Sequence, residues 1–447
     1  MLHSPAMPAD GLVPLEEMVA RLERLLSGSP ADATDLFWIE LRRGQESTEK
    51  KRLESYEYTD RTILLRVRES GRIGWHHTSA CDLSDLENGL RQALAQARLS
   101  PPAPSPLPSD VSPLPEVSAL YDPEISRMGP ARARELVQKL AVRNETARLG
   151  WSEGRVAVLT SQGRKRTAEM TAGWIEVVCG QAPGAGRAAT AARSLAGLGL
   201  PALFERARQR TGPPDVVPPP EGPVPVVLSQ EAAAALVDLV NRNALTSDSF
   251  HDGTSFLKDG LNAQVFHRAI NLRDDATDSR GLPLPFDLAG VAKRPVDLIA
   301  EGVALTPAVD ERLAQATGLP RTPHLVAPDE AIATNLFLLP GTSPDSELFR
   351  RADGGLWIGA LARLECFEPR TLRFRAVAQG VRRIAGGLPG RSVPDLVWED
   401  DLRTLLSRVL GVGSEPVPVA TSWRLLGATT APLLALDGVT GLRIAGA

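Results

Sequence analysis

Histidine and cysteine are the side chains best suited to bind a metal ion, and this 447-residue chain contains only six histidines and three cysteines. The cysteines lie far apart in the sequence. No two histidines stand at i and i+4, so the HExxH zinc motif is absent. His76 and His77 are adjacent and would face opposite sides of a strand. A metal site would therefore need ligands from distant segments, and the cysteines are expected to be small core residues.

An acidic loop is a second candidate for chemistry. Asp274, Asp275 and Asp278 lie within five residues of one another, and their carboxylates are the oxygen ligands that divalent cations prefer. Their spacing is not that of an EF-hand. A hydrated surface loop is the simpler interpretation of the same residues.

The common phosphate-binding and hydrolase motifs are missing. Residues 386–392 are rich in glycine but lack the GxxxxGK[ST] spacing and its lysine. There is no GxSxG turn of the α/β-hydrolase type. The residues alone therefore predict no catalytic constellation.

The elements that would position these side chains follow from hydrophobic periodicity. Apolar residues that recur every three or four positions predict helices. Apolar residues that alternate with polar ones predict strands and a hairpin. A helix with capping-box spacing begins near Ser84 and Glu87. A strand is predicted to lead into a helix that starts at Ser229 as N-cap and ends near Leu245. The other predicted elements are helices over 15–27, 131–149, 201–210 and 399–410, the last closed by Gly411, and strands over 36–43, 62–68 and 224–228.

Composition indicates a globular protein. Hydrophobic residues make up 43% of the chain and charged residues 23%, and the formal net charge is -4. That charge argues against nucleic-acid binding through bulk positive charge. No apolar run approaches ~20 residues, which argues against a membrane span. The absence of a secretory leader pattern and of a disulfide framework predicts a cytoplasmic location.

Proline-rich tracts divide the chain. The tract over 211–225 predicts a boundary between an N-terminal domain (1–215) and a C-terminal domain (216–447), and the tract over 100–116 predicts an extended crossing within the first. The predicted class is α+β, with an N-terminal α/β-layer domain and a β-rich, mostly antiparallel C-terminal domain.

Six stretches, in order, resemble the TldD/PmbA family, and within it the PmbA (TldE) branch. They are ESGRIGWHHTSACDLSDLENGLRQALAQAR (69–98), LYDPEI (120–125), VPVVLSQEAAAALV (224–237), SFLKDGLNAQVF (255–266), TNLFLLPGTSPDSEL (334–348) and APLLALDGVTGLRIAG (431–446). The resemblance implies a cytoplasmic protein of two domains. It also implies that TldD-like and TldE-like chains share this architecture and pair with each other as a heterodimer. In the TldD-like chain, an HExxxH helix and a later cysteine hold zinc, and the complex acts on unfolded or modified peptides.

This chain departs from the zinc motif of that family. On the helix after the first C-terminal strand, Asp238, Leu239 and Asn243 stand at the positions of the first histidine, the glutamate and the second histidine. Leucine cannot act as a general base, and asparagine is a poor zinc ligand. The stretch 420–427 supplies no cysteine, and 370–394 lacks the acidic and aromatic pattern of PmbA-like chains. We therefore expect no catalytic residues, metal or cofactor on this chain, and zinc on a TldD-like partner.

Three functions remain as hypotheses. The first is a non-catalytic, TldE/PmbA-like subunit of a zinc metallopeptidase complex, inactive alone and paired with a TldD-like chain or with a second copy of itself. The second is a peptide-binding or regulatory protein without proteolysis, which would bind an extended peptide along a strand edge. The third is an independent hydrolase with a different site. The candidates for peptide-channel contacts, or for that site, are His251, His267, Asp274 and Asp275.

Overall fold

The computed structural model describes residues 12–48, 55–103, 112–142, 145–327, 330–420 and 427–444. The predicted α+β class with mostly antiparallel sheets is confirmed. Part of the proline-rich crossing (104–111) and most of the 420–427 stretch (421–426) lie outside the described residues. The helices in the described ranges are α1 Leu15–Ser27, α2 Leu83–Leu99, α3 Pro123–Ser126, α4 Pro130–Leu140, α5 Leu200–Gln209, α6 Gln230–Ala244, α7 Ser247–His251, α8 Glu311–Thr317, α9 Asp345–Arg351 and α10 Leu402–Leu406.

A six-stranded antiparallel sheet dominates the N-terminal half. Its order is β3-β2-β1-β4-β5-β6, so neighbouring strands are joined mostly by hairpins. The strands are β1 Ala33–Ser47, β2 Tyr56–Glu69, β3 Arg72–Thr78, β4 Glu145–Thr160, β5 Lys165–Cys179 and β6 Gly186–Ala192.

Both faces of this sheet are covered, because apolar residues alternate to both sides of its strands. Leu36 and Trp38 of β1 pack beneath α1 and α2, while Phe37 and Ile39 point the other way, toward the C-terminal half. Helices α3, α4 and α5 cover the first face beyond β1. The sheet is therefore the middle layer of the molecule.

The C-terminal half consists of three further large sheets around one helix. Their orders are β10-β9-β8-β13-β22-β21, β18-β17-β14-β7-β23-β20 and β15-β16-β19-β24, and β11 pairs with β12. Parallel pairing occurs between β13 and β22 and between β7 and β14. The strands are β7 Val224–Leu228, β8 Leu272–Asp274, β9 Val296–Ala300, β10 Val303–Ala304, β11 Leu325–Ala327, β12 Glu330–Ala331, β13 Asn335–Leu338, β14 Leu356–Ile358, β15 Ala360–Glu368, β16 Arg373–Gln379, β17 Arg382–Ala385, β18 Leu388–Ser392, β19 Leu396–Asp401, β20 Val409–Val412, β21 Val417–Ala420, β22 Ala428–Ala431, β23 Leu434–Val439 and β24 Leu442–Ile444.

Helix α6 lies at the centre of these sheets. It packs on strands from all three of them, and most of its residues are buried. The predicted N-cap is confirmed, because the Ser229 hydroxyl accepts a hydrogen bond from the backbone N–H of Ala232 (3.0 Å). A helix surrounded in this way has a fixed rotation, which fixes where each of its side chains points.

Two predicted helices were wrong in extent. The helix predicted over 131–149 ends at Leu140, and strand β4 begins at Glu145. The helix predicted over 399–410 is strand β19, the single short helix α10 and strand β20, so Gly411 lies in a strand rather than at a C-cap. In both stretches the apolar residues fit the helical period as well as the strand period, because each stretch is short. Pairing with neighbouring strands of the sheet determines that strands form there.

The capping box predicted at the start of α2 was also wrong. Helix α2 begins at Leu83 with Asp82 as its N-cap, and no side chain caps it.

The two halves share one apolar interface. Phe37, Val158 and Met170 of the sheet pack against Leu284 and Phe286, which belong to a loop of the C-terminal half. No described helix is both long and apolar enough to cross a bilayer.

A buried arginine reinforces this interface. The Arg193 guanidinium donates to the carbonyls of Thr171 (3.2 Å) on one side and Pro283 (2.6 Å) on the other. Burial lowers the pKa of Arg193 to about 9. The division at residues 215 and 216 stays a prediction.

Candidate functional site

A cleft of about 460 Å³ lies between the two halves, at the end of the N-terminal sheet where β1 finishes and β4 begins. Its walls come from β4, β5 and β6 on one side and from α6, β15 and β21 on the other. Many of the lining side chains are small, which leaves room between the halves: Ala188, Ala189, Ala235, Ala360 and Ala362. A cavity of this size falls in the range of ligand-binding sites.

Three sheets end at this cleft, because β6, β15 and β21 are all terminal strands of their sheets. Terminal strands carry unpaired backbone groups that can bind an extended chain. Residues 359–362, at the start of β15, line the cleft directly, and so does Val419 of β21.

The outer edge of β6 is closed by side chains. Arg210 donates to the carbonyl of Arg187 (2.9 Å), and Arg206 donates to the carbonyl of Ala189 (3.0 Å). The backbone N–H of Ala189 donates to the Glu231 carboxylate (3.0 Å). These bonds occupy the backbone groups that a peptide would use on β6, which leaves β15 and β21 as the other terminal strands at the cleft.

The side of α6 that continues from Ala235 carries an ion pair. One and two turns further along the helix, Asp238 and Arg242 lie on this side, and their carboxylate and guanidinium are 2.8 Å apart. Burial raises the pKa of Asp238, and the pair with Arg242 opposes that shift. Leu239 is 1% exposed and lies in the core, and the Asn243 amide donates to the Leu239 carbonyl (2.8 Å).

Asp274 of the predicted acidic loop belongs to a buried charge cluster, whereas Asp275 and Asp278 lie in the loop that follows β8. Asp274 is the last residue of β8, and its carboxylate accepts hydrogen bonds from the backbone N–H groups of Thr334 (2.9 Å) and Asn335 (2.7 Å). The Lys293 ammonium lies 3.5 Å away and the His324 Nε2 3.0 Å away, and all three side chains are fully buried. We call these three residues the buried cluster.

The protonation states in the buried cluster follow from its partners. Burial alone would raise the pKa of Asp274, but Lys293, His324 and the backbone donors hold that pKa well below its usual range. Burial lowers the pKa of His324. A neutral His324 donates through Nε2 to Asp274, which leaves Nδ1 with no hydrogen-bond partner among the described residues.

The other predicted contact residues lie apart from one another. His251 is exposed at the end of α7. The His267 ring is half-buried and accepts a hydrogen bond from the Ala269 N–H (3.2 Å), and Asp275 accepts from the hydroxyl of Thr277 (2.6 Å). None of the four predicted residues lines the cleft. Asp274 has no exposed surface with which to contact a peptide; for the other three, peptide contact stays a prediction.

Comparison with known families identifies the C-terminal half. Residues 221–441 match the PmbA/TldA metallopeptidase C-terminal domain. The chain belongs to the TldD/PmbA family. No curated protein matches it.

Solved structures share the fold over almost the whole chain. TldE from Thermococcus kodakarensis is 18% identical, with a TM-score of 0.77, and the match covers 94% of this chain and 99% of that one. A putative modulator of a DNA gyrase from Thermotoga maritima is 19% identical, with a TM-score of 0.79, and the match covers 95% and 100%. A similar protein from Bacteroides thetaiotaomicron is 16% identical, with a TM-score of 0.73, and the match covers 95% and 98%. At these identities the likeness concerns the fold.

The residues that the sequence resemblance assigns to the zinc positions, Asp238, Leu239 and Asn243, do not fit a zinc ion. The Asp238 carboxylate is engaged by a guanidinium, Leu239 has no ligand atom, and the Asn243 amide is bonded to its own helix. In the described parts of the chain, no three His, Cys, Asp or Glu side chains are grouped as metal ligands would be. What this side of α6 offers instead is a charged, hydrogen-bonding surface beside the cleft.

Proposed function

We propose that this chain is the peptide-binding, non-catalytic subunit of a TldD/TldE-type metallopeptidase complex, and that a TldD-like partner carries the zinc. The observation that carries the proposal is the set of side chains on α6. Asp238, in an ion pair with Arg242, and the core residue Leu239 are the residues that the sequence resemblance matches to the first histidine and the glutamate of the TldD-like motif. A leucine with 1% exposure can neither move a proton nor activate a water.

The cleft supports the peptide-binding part of the proposal. We infer that an extended peptide lies along the start of β15, where its backbone would pair with the edge of the sheet. Backbone pairing tolerates varied side chains, and the small residues around the cleft leave room for them. Unfolded or modified peptides suit such a site, because they can present a free backbone. We place this activity in the cytoplasm, without a membrane or nucleic-acid partner.

The partner is tested by purifying the tagged chain from its own cells and identifying the co-purifying protein by mass. The expected result is a stoichiometric TldD-like chain with an HExxxH sequence, zinc in the complex, and peptide cleavage by the complex but not by the isolated chain. Recovery of this chain alone, or cleavage by a homodimer, would refute the proposed role. Peptide binding without cleavage, even beside the TldD-like protein, would favour the regulatory function instead.

The peptide site is tested by filling the cleft. Ala235→Phe and Ala362→Phe each place a ring among the lining side chains, so peptide affinity should fall while the chain still binds its partner. The matched control is Ala131→Phe, which puts the same ring on the exposed side of α4. Fluorescence anisotropy of a labelled unfolded peptide measures the affinity. Equal affinities for all three variants and the unmodified protein would place the peptide elsewhere.

A further inference from the structure

A second cavity lies at the opposite end of the N-terminal sheet. It has a volume of about 120 Å³ and lies between the sheet and loops of the C-terminal half. It shares no lining residue with the cleft. A water molecule needs roughly 10–15 Å³ of such volume, so the cavity has room for about ten groups of that size.

One wall of this cavity is apolar and aromatic. Phe37, Leu64 and Ile73 of the sheet line it, together with the Trp75 ring. The guanidinium of Arg66 lies 5.5 Å from the centre of that ring.

Two carboxylates hold Arg66 in this position. They belong to Asp35 (2.5 Å) on the same sheet and Glu311 (3.2 Å) on α8. These two carboxylates neutralise the charge of Arg66, so Arg66 needs no charged partner from a ligand. The Trp75 ring beside it presents a fixed surface to an apolar group.

The opposite wall carries two polar groups, the Arg321 guanidinium and the Asp310 Oδ2 atom, that have no partner among the described residues. Arg321 is half-buried, and no described residue accepts a hydrogen bond from its guanidinium or forms an ion pair with it. Asp310 is 2% exposed; its Oδ1 caps α8 through the Leu313 N–H (2.6 Å). The Asp310 Oδ2 is buried and has no donor among the described residues. Buried acceptors are almost always hydrogen-bonded, so this oxygen is the expected position for a donor.

We propose that this cavity binds a free α-amino acid with an apolar side chain, the size of leucine or phenylalanine. The ligand's carboxylate pairs with Arg321, and its ammonium donates to Asp310 Oδ2. Its side chain packs against Phe37, Leu64 and Trp75. A zwitterion with an apolar body matches all three features at once: a cation, an acceptor and an apolar wall. This site is independent of the peptide cleft.

Isothermal titration calorimetry of the full chain tests the proposal with L-leucine and L-phenylalanine as probes. N-acetyl-L-leucine lacks the ammonium and L-leucinamide lacks the carboxylate, so each should bind about tenfold more weakly than L-leucine or not at all. Arg321→Gln and Asp310→Asn should each weaken L-leucine binding by about tenfold or more. Asparagine caps helices as well as aspartate does, so Asp310→Asn is expected to keep α8 folded.

The matched control is Arg312→Gln. Arg312 lies on α8, but it pairs with Asp248 and does not line the cavity, so this variant should bind L-leucine like the unmodified protein. The proposal is overturned if neither amino acid binds. It is also overturned if L-leucinamide binds as tightly as L-leucine, or if Arg321→Gln binds L-leucine like the unmodified protein. If Asp310→Asn fails to fold, the analogue series and Arg321→Gln still decide the outcome.

Discussion

Restoring the zinc motif on α6 should fail, and the reason lies in the packing of the helix. We consider the triple variant Asp238→His, Leu239→Glu and Asn243→His, together with each single change. Leu239 is 1% exposed and belongs to the central core of the C-terminal half. Removing its side chain from that core costs about 1.5–3 kcal/mol. Placing a carboxyl group there without partners costs a further 1–3 kcal/mol or so.

The sum, about 2.5–6 kcal/mol, is a large part of the roughly 5–15 kcal/mol by which proteins are usually stable. Leu239→Glu should therefore lower the urea midpoint sharply, and the triple variant should bind no stoichiometric zinc. Asp238→His removes an i,i+4 ion pair with a partly exposed arginine, which is worth only about 0.3–0.5 kcal/mol.

Circular dichroism during urea unfolding measures the stabilities, and metal analysis after dialysis measures zinc. Leu239→Met is the control, since it keeps the volume and should cost less than about 1.5 kcal/mol. The reasoning is refuted if Leu239→Glu unfolds at the same urea concentration as the unmodified protein and the triple variant retains one zinc per chain. That result would mean that α6 can turn this position toward the cleft.

Three further predictions concern stability. Asp274→Ala leaves Lys293 buried and unpaired, so it should cost about 3–5 kcal/mol in urea unfolding; a loss below about 1 kcal/mol would show that water reaches the buried cluster. Because the pKa of His324 is lowered from 6.5, the unfolded chain binds the proton first, and stability should fall as the pH drops below about 6.5. His324→Gln should flatten that dependence in melting curves, and an unchanged slope would assign it to other groups. Gly150→Ala would place a Cβ atom 2.0 Å from the Trp174 ring, so it should cost about 1–3 kcal/mol by thermal unfolding, and a neutral result would show that the ring moves freely.

Sequence periodicity predicts those elements whose local pattern agrees with their tertiary contacts. Helices α1 and α6 were predicted from apolar spacing and, for α6, from the Ser229 cap, and both are confirmed. The stretch 131–149 was misread because Ala147 and Leu149 fit a helix as well as a strand. Their long antiparallel pairing with β5 determines the strand, and no local window contains that information.

The sites are less accessible to sequence reasoning than the fold. The buried cluster joins Asp274, Lys293 and His324, which no motif spacing connects. The alternation of apolar and polar residues around β8 could have indicated that Asp274 points inward. Its partners are visible only in the tertiary structure. The cleft is built from segments of both halves for the same reason, and the resemblance to TldD/PmbA chains was the one sequence signal that led to α6.

The interface between the halves also determines how a substrate could reach the cleft. A hinge opening would expose Phe37, Met170 and Phe286 to water and break the hydrogen bond from Arg193 to the Pro283 carbonyl across the interface. An opening of that kind is energetically costly, so the packing of the two halves fixes the width of the cleft. A cleft of fixed width admits a single extended strand more readily than a hairpin or a folded domain, because the extended strand is the narrowest of these. On this view, the fixed spacing between the two halves would distinguish unfolded from folded protein before any side chain is recognised.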